Sequence, residues 1–232
     1  VVHADGTWTW IGSVSGAPRA SKAIITFGDH AAFGFIPALS GEPWSIVTLN
    51  GSTWLVEPTS KPRRPAVEHP IIPAKPEEAV QAVQAPARNL SGSTQSDEAA
   101  PDRPATVDLL VLYTPGFLNQ YGSDAAALAR VNHEVDMLNQ AFRDSRVYAG
   151  VRLVHATQVE YPDATDDADA LSDLRHGVAP LDGVPSLRAQ YGADEVVLMR
   201  AHTPGSDSCG TTFIMGYDLA PITVADAVRA FA

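Results

Sequence analysis

Val107-Asp108-Leu109-Leu110-Val111-Leu112-Tyr113-Thr114-Pro115 is the stretch whose reading decides the fold. Apart from Asp108, residues 107–113 form a nearly continuous apolar run, the pattern of a strand buried on both faces. Thr114-Pro115-Gly116 ends it. A helix is predicted from about Ser123, a residue type that caps helix N-termini. Leu128, Val131, Val135, Leu138 and Phe142 recur at helical spacing and define one buried face. Gly150 to Gln158 reads as a second strand, and Asp163 to Asp169 leads into a short helix with Leu171 and Leu174. Leu187 to Tyr191 reads as helix and Glu195 to Arg200 as a third strand. Thr211 to Gly216 reads as a fourth. Alternating strands and helices predict an α/β layer with a mostly parallel sheet.

Upstream of this segment the patterning changes. Thr7-Trp8-Thr9-Trp10-Ile11 alternates with the period of a half-buried strand. Ala23–Phe27, Phe33–Ile36, Trp44–Leu49 and Ser52–Val56 continue the series. Asn50-Gly51 between the last two is a hairpin signal, because both turn residues take positive φ. Residues 1–57 are therefore expected to form a small antiparallel module. All four tryptophans lie in it and are expected to form its core. Between the two parts, residues 58–105 hold nine of the 18 prolines and no periodicity, which marks a linker with at most a short helix at Glu77–Gln84. The fold class is α+β overall, with an antiparallel β module at 1–57, a linker at 58–105 and an α/β segment at 106–232.

Charge and composition narrow the function. The formal net charge is −11, and residues 106–232 carry 17 acidic and eight basic side chains, all of the latter Arg. An acidic segment repels nucleic acid and anionic membrane, so neither is expected as a partner. No apolar run approaches the roughly 18 residues of a membrane span. Val1 to Gly6 lacks the basic start and apolar stretch of a signal peptide, which leaves a cytosolic protein or one whose signal is already removed. Cys209 is the only cysteine. It excludes an internal disulfide, and leaves a buried thiol, a catalytic thiol or half of a bridge beyond the chain.

No motif in the 232 residues is a complete catalytic signature. His133-Glu134-Val135-Asp136-Met137 begins like HExxH, whose two His one turn apart bind one zinc while the Glu activates water. Met137 stands where the second His is required, so these residues are expected on the helix surface beside the apolar stripe. Asp163, Asp166, Asp167 and Asp169 make an acid-rich loop without the spacing of a calcium loop, and helix capping is the expected role. No metal ligand is assigned.

The segment from Val107 resembles the bacterial branch of the metzincin zinc endopeptidases, in particular the reprolysin-like and peptidyl-Asp metalloendopeptidase groups. The resemblance is carried by Val107 to Pro115, by Asn139-Gln140-Ala141-Phe142, by Val151-Arg152-Leu153-Val154, by Leu171 to Arg175, by Ala193 to Met199, and by Cys209-Gly210 through Ile214-Met215-Gly216. Gly6 to Trp10, Ile25 to Gly28 and Thr53 to Glu57 look like parts of such an enzyme's propeptide. The resemblance implies a secreted or periplasmic zymogen acting on polypeptide substrates, with a propeptide that contacts the catalytic part. It implies zinc held by three His of HExxHxxGxxH, with water activated by the Glu. None of those ligands is in this chain, and Ala230-Phe231-Ala232 reads like the run-in to the motif. The catalytic residues are accordingly expected just after Ala232, and these 232 residues alone are expected to be inactive and to bind no catalytic zinc.

The resemblance also makes the strand at Gly210, Thr211, Thr212, Phe213 and Ile214 an edge on which an extended peptide would dock. The turn at Phe27-Gly28-Asp29-His30 places a carboxylate and an imidazole at its tip, and Asp29 or His30 is a candidate latency ligand for the zinc. The alternatives are a non-enzymatic secreted two-module binding or inhibitory protein, or a degenerate protease that keeps the fold.

Overall fold

The computed structural model describes residues 1–16, 22–57, 105–202 and 210–212. The short helix expected at Glu77–Gln84 and nearly all of the Pro-rich stretch lie outside the described residues.

Five strands, β1 (Trp8–Ser13), β2 (Lys22–Gly28), β3 (Ala31–Ile36), β4 (Trp44–Leu49) and β5 (Ser52–Val56), pair antiparallel in sequence order. The β4–β5 turn is the one the sequence signals. Asn50 and Gly51 have φ of 50° and 73°, a backbone that Gly adopts without a steric penalty.

The tryptophans do not form the core of this module. Trp8, Trp10 and Trp54 are 46%, 45% and 58% exposed. Strand alternation explains it: Trp8 and Trp10 point away from Thr7 and Thr9, and it is the threonine side that is covered. Thr26 pairs with Thr9 and Phe33 on that side, and all three are buried. On the open side Trp8 stacks on Phe27 with ring centroids 4.4 Å apart.

The second half follows the predicted order, with one addition. β6 (Ala105–Tyr113) lies between β7 (Ala149–Gln158) and β8 (Glu195–Met199), parallel to both. Immediately after β6, Thr114-Pro115-Gly116 does not only end the strand; it starts helix α1 (Pro115–Tyr121). Thr114 caps it by accepting from Phe117 N, and proline at the first helical position is preorganised for the turn. Helix α2 (Asp124–Asp144) is capped by Ser123, as expected. Two shorter helices, α3 (Asp167–His176) and α4 (Val184–Tyr191), separate β7 from β8. Among the described residues no helix is long and apolar enough to cross a membrane.

Helix α2 is buried on two sides. Val131, Val135, Leu138 and Phe142 make the predicted stripe, and Asn139 fixes its distance from β7 by exchanging two 2.8 Å bonds with the Val151 backbone. A second stripe, Ala129, His133, Asp136 and Gln140, is buried as well. The antiparallel module covers it, with α2 packed on β2 and β3. Gly28 comes so near that a Cβ there would lie 2.7 Å from the Ala129 methyl. The expectation that His133, Glu134 and Asp136 lie on the helix surface is therefore overturned. His133 and Asp136 are buried, and Glu134 is half-buried and paired with Arg130. The layers run antiparallel sheet, α1 and α2, parallel sheet, then α3 and α4, whose Ala170 and Val184 meet Leu110, Leu112 and Leu198 from the other face.

Candidate functional site

In open α/β sheets ligands bind at the carboxyl ends of the strands, so the ends of β6 and β8 come first. One carboxylate organises them. Asp163 accepts from Thr114 Oγ1 at 2.5 Å, just after β6, and from Ala201 N at 2.8 Å, just after β8. Gly116 lies against the same carboxylate and leaves no room for a side chain. Arg200 donates to the Thr165 carbonyl at 2.6 Å and the Asp163 carbonyl at 3.2 Å, and pairs with Asp167. Asp166 caps α3 by accepting from Ala168 N. Asp166 takes the capping role expected of the acid-rich loop, while Asp163 and Asp167 clamp the strand ends, a role the spacing does not predict. The loop's carboxylates hold Arg200 and Ala201 at the end of β8.

Gly210 is exposed, and Thr211 and Thr212 are half-buried. These three residues are not in a strand; Phe213 and Ile214, with which the expected strand continues, lie outside the described residues, as does Cys209. Asp29 and His30 sit at the tip of the β2–β3 turn, both exposed, with His30 Nε2 3.4 Å from Asp29 Oδ1. His30 has φ of 53°, which turns the chain there.

The densest polar cluster joins the antiparallel module to α2. His3 Nε2 lies 2.9 Å from Asp136 Oδ2. Asn132 Nδ2 donates to Asp5 Oδ2 at 2.8 Å and to Thr7 Oγ1 at 2.7 Å. Thr26 Oγ1 lies 2.8 Å from Thr9 Oγ1 and 3.1 Å from His133 Nδ1. Arg130 lies over the Phe33 ring, 5.7 Å from its centroid. Burial, with the Arg130 guanidinium adding to it, holds the His133 imidazole down at about 3. Burial raises the Glu134 carboxyl, and Arg130 offsets part of that. Nearby, burial and then the Asp124 carboxylate push the Tyr113 phenol up to about 12, which keeps it a hydrogen-bond donor to Asp124. None of this was legible as a site in sequence. The one available signal was the threonine alternation at Thr7 and Thr9.

A zinc site can be tested against these positions. Among the described residues no three His, Cys, Asp or Glu side chains are placed to hold a metal. His133 faces Thr26, and the side chain one turn on is Met137. The described residues do not fit zinc.

Residues 103–227 match the family model described as metallo-peptidase family M12B, reprolysin-like. The chain belongs to the reprolysin-like metallopeptidase family. The match begins just before β6 and spans the whole parallel sheet. A peptidyl-Asp metalloendopeptidase of Pseudomonas aeruginosa is 34% identical over 119 residues, which are 50% of this chain and 19% of that relative. The chain thus corresponds to about a fifth of that relative's length. A solved structure titled as a chaperone-substrate complex covers 79% of this chain and 24% of its own at 16% identity, with a TM-score of 0.41. That likeness decides neither fold nor function. Reprolysin-like peptidases are zinc-dependent, so zinc is expected of the family even though the described residues supply no ligand set.

Proposed function

We propose that this chain is the zymogen-side part of a secreted or periplasmic zinc endopeptidase. Residues 1–57 act as its propeptide, and residues 106–232 form the first part of its catalytic domain. The observation that carries this reading is the family match over 103–227, which coincides with the three-stranded parallel sheet and its helices. The zinc ligands belong to sequence outside these 232 residues, which contain no HExxH. In this reading Gly210 to Ile214 offers backbone groups to an extended polypeptide substrate. Asp29 or His30, exposed at a turn tip, is the group available to occupy the metal in the latent enzyme.

The test is to express the full open reading frame and to measure bound zinc and azocasein cleavage before and after proteolysis of the Pro-rich stretch. Stoichiometric zinc and chelator-sensitive cleavage that rises on processing are expected. A reading frame with no HExxH, or a zinc-free protein without cleavage, would instead favour the non-enzymatic two-module protein or the degenerate protease. Asp29→Ala and His30→Ala in that full protein should raise cleavage before processing; unchanged latency in both removes the switch role.

A further inference from the structure

His133 is sealed in the joint between the antiparallel module and α2, at 3% exposure. Its ring Nδ1 lies 3.1 Å from the Thr26 hydroxyl, which itself has no solvent exposure. The Phe33 ring lies beside it, centroids 6.4 Å apart. We propose that this joint is an acid-release catch: the module stays seated on α2 while His133 is neutral, and protonation in mild acid frees it. Release depends on the joint alone, whether or not the protein cleaves peptide bonds.

An imidazolium in that place loses its hydration without gaining a carboxylate. A buried charge left unpaired is strongly unfavourable. The groups facing His133 from β2 and β3 are Thr26 and Phe33, neither charged. On α2 its neighbours are Arg130, a like charge one turn earlier, and Glu134, which Arg130 already engages. Asp136, one turn on, is engaged by His3. Asp5 is engaged by Asn132, and Tyr121 of α1 stacks edge-on to Phe33. Protonated His3 would bind Asp136 more strongly and so opposes release. Both side chains of that pair are largely out of water, so it offsets part of the release that His133 drives. Once α2 and the module part, His133 regains water and an ordinary imidazole's proton affinity, near 6.5. The sign follows: a histidine held at about 3 when docked and near 6.5 when free makes docking full above about 6.5 and weaker as the pH falls below it. From pH 7.5 to 5.0 one such proton raises the dissociation constant about 30-fold.

The full chain, given one engineered protease site within residues 58–104, is cut, and the affinity of the two pieces is measured at pH 7.5 and 5.0. Wild type should lose affinity by several-fold and up to about 30-fold. His133→Gln, which keeps a partner for Thr26 but does not titrate, should lose the pH dependence, and His3→Gln should keep it. Equal affinity of wild type at both pH values, or as large a loss in His133→Gln as in wild type, overturns the catch. A readout without substitutions uses the uncut chain with carbon-13-labelled histidine. One of its seven imidazoles should take up its proton only together with release of the module, at a pH below that of the others; seven rings titrating near 6.5 with the module still docked overturn the catch equally.

Discussion

Asn132 donates 2.8 Å to the carboxylate of Asp5, a residue 127 positions earlier in the chain. With its second bond, to Thr7 Oγ1, it ties the start of the antiparallel module to the middle of α2. Asn132→Ala removes both bonds between α2 and the module, while Asp5 and Thr7 keep the bonds they make to each other, and should cost about 1–2 kcal/mol. All four tryptophans lie in the module, so urea unfolding followed by their fluorescence reads the loss directly. An unchanged midpoint would show that the contact adds nothing.

Phe33 and Trp10 invert the usual ranking of aromatic residues by size. Phe33 is fully buried and meets Tyr121 edge-on at 5.4 Å, whereas Trp10 stands on the open face. Phe33→Ala should cost about 3–5 kcal/mol. Trp10→Ala should stay within about 1 kcal/mol, as a half-exposed side chain away from a core. Thermal unfolding of the two variants side by side checks the order; a larger loss in Trp10→Ala would place the core on the wrong face.

Gly51 has φ of 73° in the turn between β4 and β5, and the neighbouring Asn50 N donates to the Gln120 carbonyl of α1. A Cβ in this left-handed region costs about 1–2 kcal/mol. Gly51→Ala is expected to lower stability by that amount, while Asn50→Gly, which keeps the backbone donor, should be close to neutral. Denaturant midpoints of both variants separate turn strain from loss of the α1 contact.

Asp108 and Arg152 join β6 to β7 through two bonds of 2.8 and 2.7 Å. The bond from Arg152 holds the Asp108 carboxyl below its ordinary value of 3.8, although burial acts slightly against it. A carboxyl lowered on folding contributes stability above its unfolded value and loses it as the pH falls through the folded one. The difference in stability between wild type and Arg152→Ala should therefore be small but constant at neutral pH, begin to fall below about pH 4 and vanish once the pH is below the lowered value in the folded protein. A difference that grows in acid would reverse this assignment.

Much of the architecture could be read from sequence because it rests on local pattern. Alternation, an Asn-Gly turn and a two-sided apolar run placed β1 to β8 within a residue or two. Ser123 marked the start of α2, whereas α1 was missed although Thr114-Pro115 carries a cap and a first-turn proline. The joint was not legible, for a physical reason. Which face of a one-sided sheet is covered depends on what docks there, and a surface of Thr, Asn and His is equally at home in water. Only the partner's position, more than a hundred residues along the chain, shows that Thr26 and His133 are buried together. The substrate-side residues Gly210 to Ile214 rest on family resemblance alone, and the Asp163 clamp at the end of β8 is visible in sequence only as a cluster of acids.

The two-sided burial of α2 also sets an order of events during synthesis. Thr26 leaves the ribosome 107 residues before His133, on the order of ten seconds earlier at typical elongation rates. Over that interval the nascent module has no helix to rest on. A docking face lined with threonine tolerates the wait in water, where one lined with its tryptophans would invite association with other unfinished chains.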